Sequence, residues 1–114
     1  MEKTINIDGK PIKMRVTARI HAEYREAFGK DLLLELAKSR EDNADNISEV
    51  IDNLAWLMAK KAGNQVHPPE LTAAQAVGEW LDTMESGSAI SSVSGEIISL
   101  YYASESGHST PAKK

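Results

Sequence analysis

The chain has 114 residues, 41% apolar and 26% charged, with a net charge of −4, which describes one ordinary globular domain rather than a disordered segment. It has no cysteine, which excludes a disulfide framework, a thiolate metal site and a cysteine nucleophile. No apolar run is long enough to span a membrane, and the start, Met1-Glu2-Lys3-Thr4, lacks the apolar segment of a secretory signal. A cytoplasmic protein is therefore expected.

The net charge hides an asymmetry. Residues 1–40 hold nine Lys/Arg against six Asp/Glu, +3, and residues 41–114 hold four against eleven, −7. Positive charges interleaved with negative ones make a weak footprint for nucleic acid, so attraction between the two halves, or between two molecules, is the favoured account. Aromatics are few (Tyr24, Phe28, Trp56, Trp80, Tyr101 and Tyr102), so Ile, Leu, Val, Met and Ala must make most of the core.

Ile5 and Ile7 alternate with Asn6 before Asp8-Gly9; Ile12, Met14 and Val16 alternate with Lys13 and Arg15 after it. Period-two patterning on both sides of Asp-Gly predicts a β-hairpin over residues 1–16. Pro11 cannot donate to a ladder, so the second strand should begin near or after it, or lie at an edge. An isolated hairpin is marginal in water, so its apolar face must lie on helices or on another subunit.

Thr17 is a helix-capping type, and after it Ile20, Tyr24, Ala27 and Phe28 share one helical face. Gly29 suits the left-handed end of that helix, and Asp31 can cap the next. The Ile20/Tyr24/Phe28 face is expected to anchor the hairpin to the helices. The short apolar segment Leu32–Lys38 either continues the first helix through a kink or packs across it. Residues 40–45 read as a polar loop, and Asn46 with Glu49 has capping-box spacing. The helix that follows, about Ile47 to Lys61, has a stripe of Ile47, Val50, Ile51, Leu54 and Met58. Lys60 and Lys61 suit its C-terminal dipole, and Gly63 or Asn64 stops it. Trp56 falls on the face opposite that stripe at 100° per residue and needs a second partner.

The Pro68-Pro69 connector leads to another capping box, Thr72 and Gln75, and a helix to about Glu85 with Trp80 and Leu81 on its apolar side; Gly87 ends it. The last helix is expected from about Ala89 to Ala103. Ile90, Val93, Ile97, Leu100 and Tyr101 make one stripe on it, and Ile98 with Tyr102 a second. Residues 105–114, rich in Ser, Gly, Thr, Pro and Lys, are expected to form a disordered tail. The fold class is therefore mainly α: an N-terminal β-hairpin followed by a compact bundle of about four to five helices, one domain over 1–104. Its expected core includes Ile20, Tyr24, Phe28, Ile51, Leu54, Met58, Trp80, Leu81, Ile97 and Tyr101.

No catalytic, cofactor-binding or metal-binding constellation emerges. His21, His67 and His108 lack metal-ligand spacing; the glycines form neither a P-loop nor a dinucleotide fingerprint; and the serines at 88, 92 and 94 match no nucleophile motif. Acidic residues 41, 42 and 45 lack the register of a calcium loop. For Trp56 two accounts stand: the hairpin or last helix covers it, or it is a partner-facing anchor. Ile98 and Tyr102 are weighed the same way, since a core built on Ile97 and Tyr101 leaves them facing a groove, another subunit or a ligand chain.

The Asn6-Ile7-Asp8-Gly9-Lys10 hairpin and the run Thr17-Ala18-Arg19, Tyr24-Arg25 and Phe28-Gly29-Lys30-Asp31 open a pattern that covers nearly the whole chain. It continues through Leu54-Ala55-Trp56-Leu57-Met58-Ala59-Lys60, Trp80-Leu81-Asp82, a final apolar helix and a Lys-ending tail. In order and spacing it resembles the tail assembly chaperones of long-tailed, siphovirus-type phages and prophages of Gram-positive bacteria. The resemblance implies a non-enzymatic protein without cofactor. Such a protein binds the helical, aggregation-prone tape measure protein in the host cytoplasm until the tail tube polymerises around it, and is absent from the mature virion. As further candidate partners it implies the major tail protein and a frameshifted longer form of the chain itself, for which Lys113-Lys114 suggests an A-rich slip site. A homo-oligomer is compatible with it; nucleic acid and membrane are not expected. Two alternatives remain, a small DNA-binding regulator using Arg19, Arg25 and Lys30 on phosphates, and a structural tail subunit.

Overall fold

Asp8 and Gly9 make the turn that their sequence promises. Both have positive φ, 56° and 80°, as the two central residues of a type I′ hairpin turn require. The computed structural model describes residues 1–41, 47–63 and 70–106. In it, β1 (Glu2–Ile7) pairs antiparallel with β2 (Lys10–Arg15), with Ile5 opposite Ile12 and Asn6 opposite Pro11. Counting from the two-residue turn, Asn6 and Pro11 form a pair that exchanges no ladder bonds, so β2 begins before the proline without losing one. Ile5, Ile7, Met14 and Val16 are buried and Ile12 half-buried.

Five α-helices follow among the described residues: α1 (Ile20–Phe28), α2 (Leu32–Glu41), α3 (Ile47–Lys61), α4 (Ala73–Asp82) and α5 (Ser94–Ser106). The protein is thus mainly helical with an N-terminal two-stranded hairpin. Thr17 opens the first helix indirectly: its hydroxyl accepts from Arg19 N–H and its carbonyl from Ile20 N–H, and the helix begins at Ile20. Gly29, at φ 70°, closes it with an N–H bond to the Arg25 carbonyl. Asp31 then caps α2 by accepting from Leu34 N–H at 3.0 Å, so the Leu-rich segment is a separate helix.

Helix α3 is the centre of the fold. From Val50 to Ala59 every residue except the half-buried Asp52 is buried, Asn53 included. A helix covered all round must have neighbours on every side, and α3 packs against α1, α2, α4, α5 and β2. Expected core residues Ile20, Tyr24, Ile51, Leu54, Met58, Trp80, Ile97 and Tyr101 are buried; Phe28 and Leu81 are half-buried against them. The hairpin lies on α3 through β2 and on α5 through β1, while the main neighbours of α1 are α2, α3 and α4. This corrects the expectation that the Ile20/Tyr24/Phe28 face anchors the hairpin. That face is taken by α3, where Asn53 Nδ2 donates to the Tyr24 hydroxyl and Phe28 meets Trp56.

Helix boundaries differ from the sequence reading at the end of α4 and at both ends of α5. The capping box of α4 forms in full, Thr72 Oγ1 accepting from Gln75 N–H and Gln75 Oε1 from Thr72 N–H. The helix stops at Asp82 rather than near Glu85. There the Thr83 hydroxyl donates back to the Trp80 carbonyl at 2.6 Å, and Glu85 N–H is drawn to Asp8 Oδ2 in the hairpin turn at 3.0 Å. The last helix starts at Ser94 rather than Ala89, after turns and a 3₁₀ segment at Ser91–Val93. Ser86 Oγ accepts from Ser88 N–H, while the Ser91 and Ser92 hydroxyls donate to the carbonyls of Ser88 and Ala89. Such bonds compete with a regular first turn. At its other end α5 continues through Ser106, two residues into the stretch expected as a disordered tail; residues 107–114, the capping residue Asn46 and the Pro68-Pro69 connector lie outside the described residues.

Candidate functional site

The three residues expected to face a partner separate sharply. Trp56 is 1% exposed, with its ring edge-on to Phe28 at 6.1 Å and the Lys60 ammonium over it at 5.2 Å. It offers nothing to a partner, which corrects its assignment as a binding anchor. Part of the cover that its face requires comes from α1, through Phe28. Ile98 is half-buried and packed on the core. Tyr102 alone of the three is open, 43% exposed, its ring 5.1 Å from that of the buried Tyr101.

Sequence reasoning missed Leu33 and Leu34, which stand 57% and 55% exposed on α2. The signal was present for Leu34. At 100° per residue, Leu32 and Leu36 share one side, and both are buried; Leu34 then falls opposite that side and Leu33 on its flank. Two adjacent open leucines and an open tyrosine are the large apolar side chains that the described fold leaves uncovered, together with Met1.

Between α1, α3 and α4 runs a cleft of about 630 Å³, with Phe28, Val77 and Leu81 along its apolar part and Glu49, Asp52 and Gly78 at its edges. A smaller recess of about 130 Å³ shares Ser48 and Asp52 with it and is lined further by Ile90 and Ser94. A third cleft, of about 440 Å³, is walled by ion pairs: Lys61 meets Glu23 at 2.7 Å, and Arg19 meets Glu26 at 3.4 Å.

The cations named for a DNA-binding alternative are each matched. Arg19 faces Glu23 and Glu26, Arg25 stands 3.9 Å from Asp31, and Lys30 stands 3.8 Å from Glu49. Among the described residues no group of three or more His, Asp or Glu side chains is placed to hold a metal ion, and no helix is long and apolar enough to cross a membrane. His21 sits edge-on to Tyr101 at 5.7 Å.

Among the described carboxylates, Asp52 sits in surroundings that disfavour its charge. Partial burial raises its pKa from the ordinary aspartate value, and the nearby charge of Glu49 adds to the rise. A raised carboxyl pKa means that the ionised form is the less stable one in the folded chain, so stability falls as pH rises through the folded pKa. Asp52→Asn is therefore expected to raise the thermal midpoint modestly at neutral pH, with the gain vanishing below about pH 4, where Asp52 is protonated in both states. Thermal unfolding followed at both pH values checks this.

No protein-family model matches the chain, and neither does any curated protein or solved structure.

Proposed function

We propose that this chain is a non-enzymatic tail assembly chaperone of a long-tailed phage or prophage. It binds the tape measure protein in the bacterial host cytoplasm and keeps it soluble until the tail tube polymerises around it. The order and spacing of the motifs from Asn6 to Lys114 support the reading at the level of sequence. One structural observation carries it further: Leu33, Leu34 and Tyr102 remain open on a domain that is otherwise well filled. Exposed aliphatic and aromatic side chains on helices suit the transient cover of another chain's helical apolar stripe. Many copies acting along one long client give useful hold from modest individual affinity.

Co-expression tests the reading. With the wild-type chain the tape measure protein is expected in the soluble fraction. With the variant Leu33→Ser/Leu34→Ser/Tyr102→Ser it is expected mostly in the pellet, although these open positions should change the variant's own stability by only about 0.5 kcal/mol per site. A client equally insoluble with and without the wild-type chain overturns the proposal. Finding the chain as a stoichiometric component of purified virions would favour a structural tail subunit instead. The gene neighbourhood gives an independent check: a major tail protein gene upstream and a very long open frame downstream are expected.

A further inference from the structure

The cleft between α3 and α4 has features that the packing of the chain does not itself explain. Its floor is apolar, made by Phe28 at the end of α1 and by Val77 and Leu81 of α4. Its α4 rim is cut down to the backbone at Gly78 and to a methyl group at Ala74, one turn earlier. Gly78 lies inside a helix, where glycine is destabilising relative to alanine, and it has no positive φ. A Cβ built on it would meet nothing within 4 Å. Neither its backbone nor its neighbours call for glycine; a second backbone passing close overhead would.

The facing wall supplies the charge. Glu49 is tied to Lys30 at 3.8 Å, whereas half-buried Asp52 has neither a hydrogen-bond partner nor a cation within salt-bridge distance among the described residues. A cleft with an apolar floor, one low rim and an unneutralised carboxylate on the other rim is complementary to a helix with an apolar stripe flanked by a positive charge. The surplus of −7 over residues 41–114 acts in the same direction at longer range.

We propose that the α3–α4 cleft is a docking site for a basic amphipathic helix of another protein, which lays its apolar stripe on Phe28, Val77 and Leu81, crosses α4 over Gly78 and sets a Lys or Arg against Asp52. The site is distinct from the open side chains Leu33, Leu34 and Tyr102, and either assignment can fail without the other.

The test uses the full chain and two fluorescently labelled helical peptides of about 18 residues, with leucines at i, i+3, i+4 and i+7 and either Lys or Glu flanking them. Anisotropy titration is expected to show the Lys peptide binding at least about tenfold more tightly than the Glu peptide. Asp52→Lys should remove or invert that preference. Gly78→Leu, which fills the low rim from open space, should weaken the Lys peptide at least about tenfold with the thermal midpoint little changed. Equal binding of the two peptides overturns the proposal, as does wild-type affinity in Gly78→Leu. Loss of binding in Leu33→Ser/Leu34→Ser would place the peptide on the other surface and also overturn it. Self-association that competes with the peptide and disappears in Gly78→Leu would make a second copy of this chain the occupant, against the proposal. Should Gly78→Leu unfold, the charge preference of Asp52→Lys decides alone.

Discussion

Trp56→Ala is expected to destabilise the fold by about 3–5 kcal/mol, as truncations of large buried aromatics do. Trp56 heads the fully buried side chains, and its removal opens a cavity between α1 and α3 that Phe28, 6.1 Å away, cannot fill without leaving Tyr24. The Lys60 ammonium over the ring at 5.2 Å adds about 0.5–1 kcal/mol that alanine also forfeits. Against the ~5–15 kcal/mol that holds an ordinary domain together, this is a large share, and urea unfolding followed by circular dichroism will read it as a much lower midpoint. Trp56→Phe, which keeps an aromatic ring in the site, should lose clearly less. A Trp56→Ala midpoint close to wild type would mean that the ring is not part of the core, and would restore it as a candidate for partner contact.

The contrast between expected and observed Trp56 marks where sequence reasoning reaches its limit. Signals confined to a few neighbouring residues were legible: Asp8-Gly9 as a hairpin turn, Thr72 and Gln75 as a capping box, Gly29 as a left-handed stop and Asp31 as a cap. Each depends on dihedral preference or a bond spanning two to four positions, so its physics is present in the local sequence. The span of α3, Ile47–Lys61, was legible for a related reason, because an apolar stripe at helical period needs only the helix itself. What covers the second face of α3 was not. Phe28 reaches Trp56 from 28 positions earlier, and nothing local distinguishes that neighbour from a hairpin or a partner protein. The early end of α4 depends on a bond between Glu85 and Asp8, 77 positions apart. The late start of α5 was closer to hand, since the serines at 86, 88, 91 and 92 are the residue type that diverts backbone groups from a first helical turn.

The candidate surfaces divide in the same way. Leu34 follows from helical geometry once Leu32 and Leu36 are placed inside, whereas Leu33 on the flank does not, since Glu35 at the matching offset is buried. The cleft does not, because its floor joins the end of α1 to one side of α4, and its acidic wall comes from α3. Gly78 reads in sequence only as a weak spot in a helix; its open surroundings appear once α3 and α1 stand beside it. Asp52 likewise looks like one more solvated helix charge until burial sets it apart.

Tyr24 is expected to be the second costly position, and comparing two substitutions there separates packing from hydrogen bonding. Tyr24→Ala should lose about 3–5 kcal/mol, since the ring is buried against Phe28 at 5.0 Å. Tyr24→Phe keeps the ring and removes only the hydroxyl that accepts from Asn53 Nδ2 at 3.3 Å. Asn53 is itself buried, so the orphaned amide should make this variant less stable by about 1–2 kcal/mol. The hydroxyl also predicts behaviour in alkali. Burial raises the Tyr24 pKa above the ordinary tyrosine value; the Asn53 hydrogen bond partly opposes the rise, and the charges of Glu35 and Glu49 reinforce it. Below about pH 10 the group is protonated in both states, and its contribution is fully present. As pH climbs further, the unfolded chain ionises first and stability falls through the folded pKa. Urea midpoints measured at increasing pH should therefore drop more steeply for the wild type than for Tyr24→Phe, which cannot ionise there. Parallel curves for the two proteins would show that the hydroxyl ionises equally readily in both states, and would remove the sealed Asn53–Tyr24 contact from the account of this core.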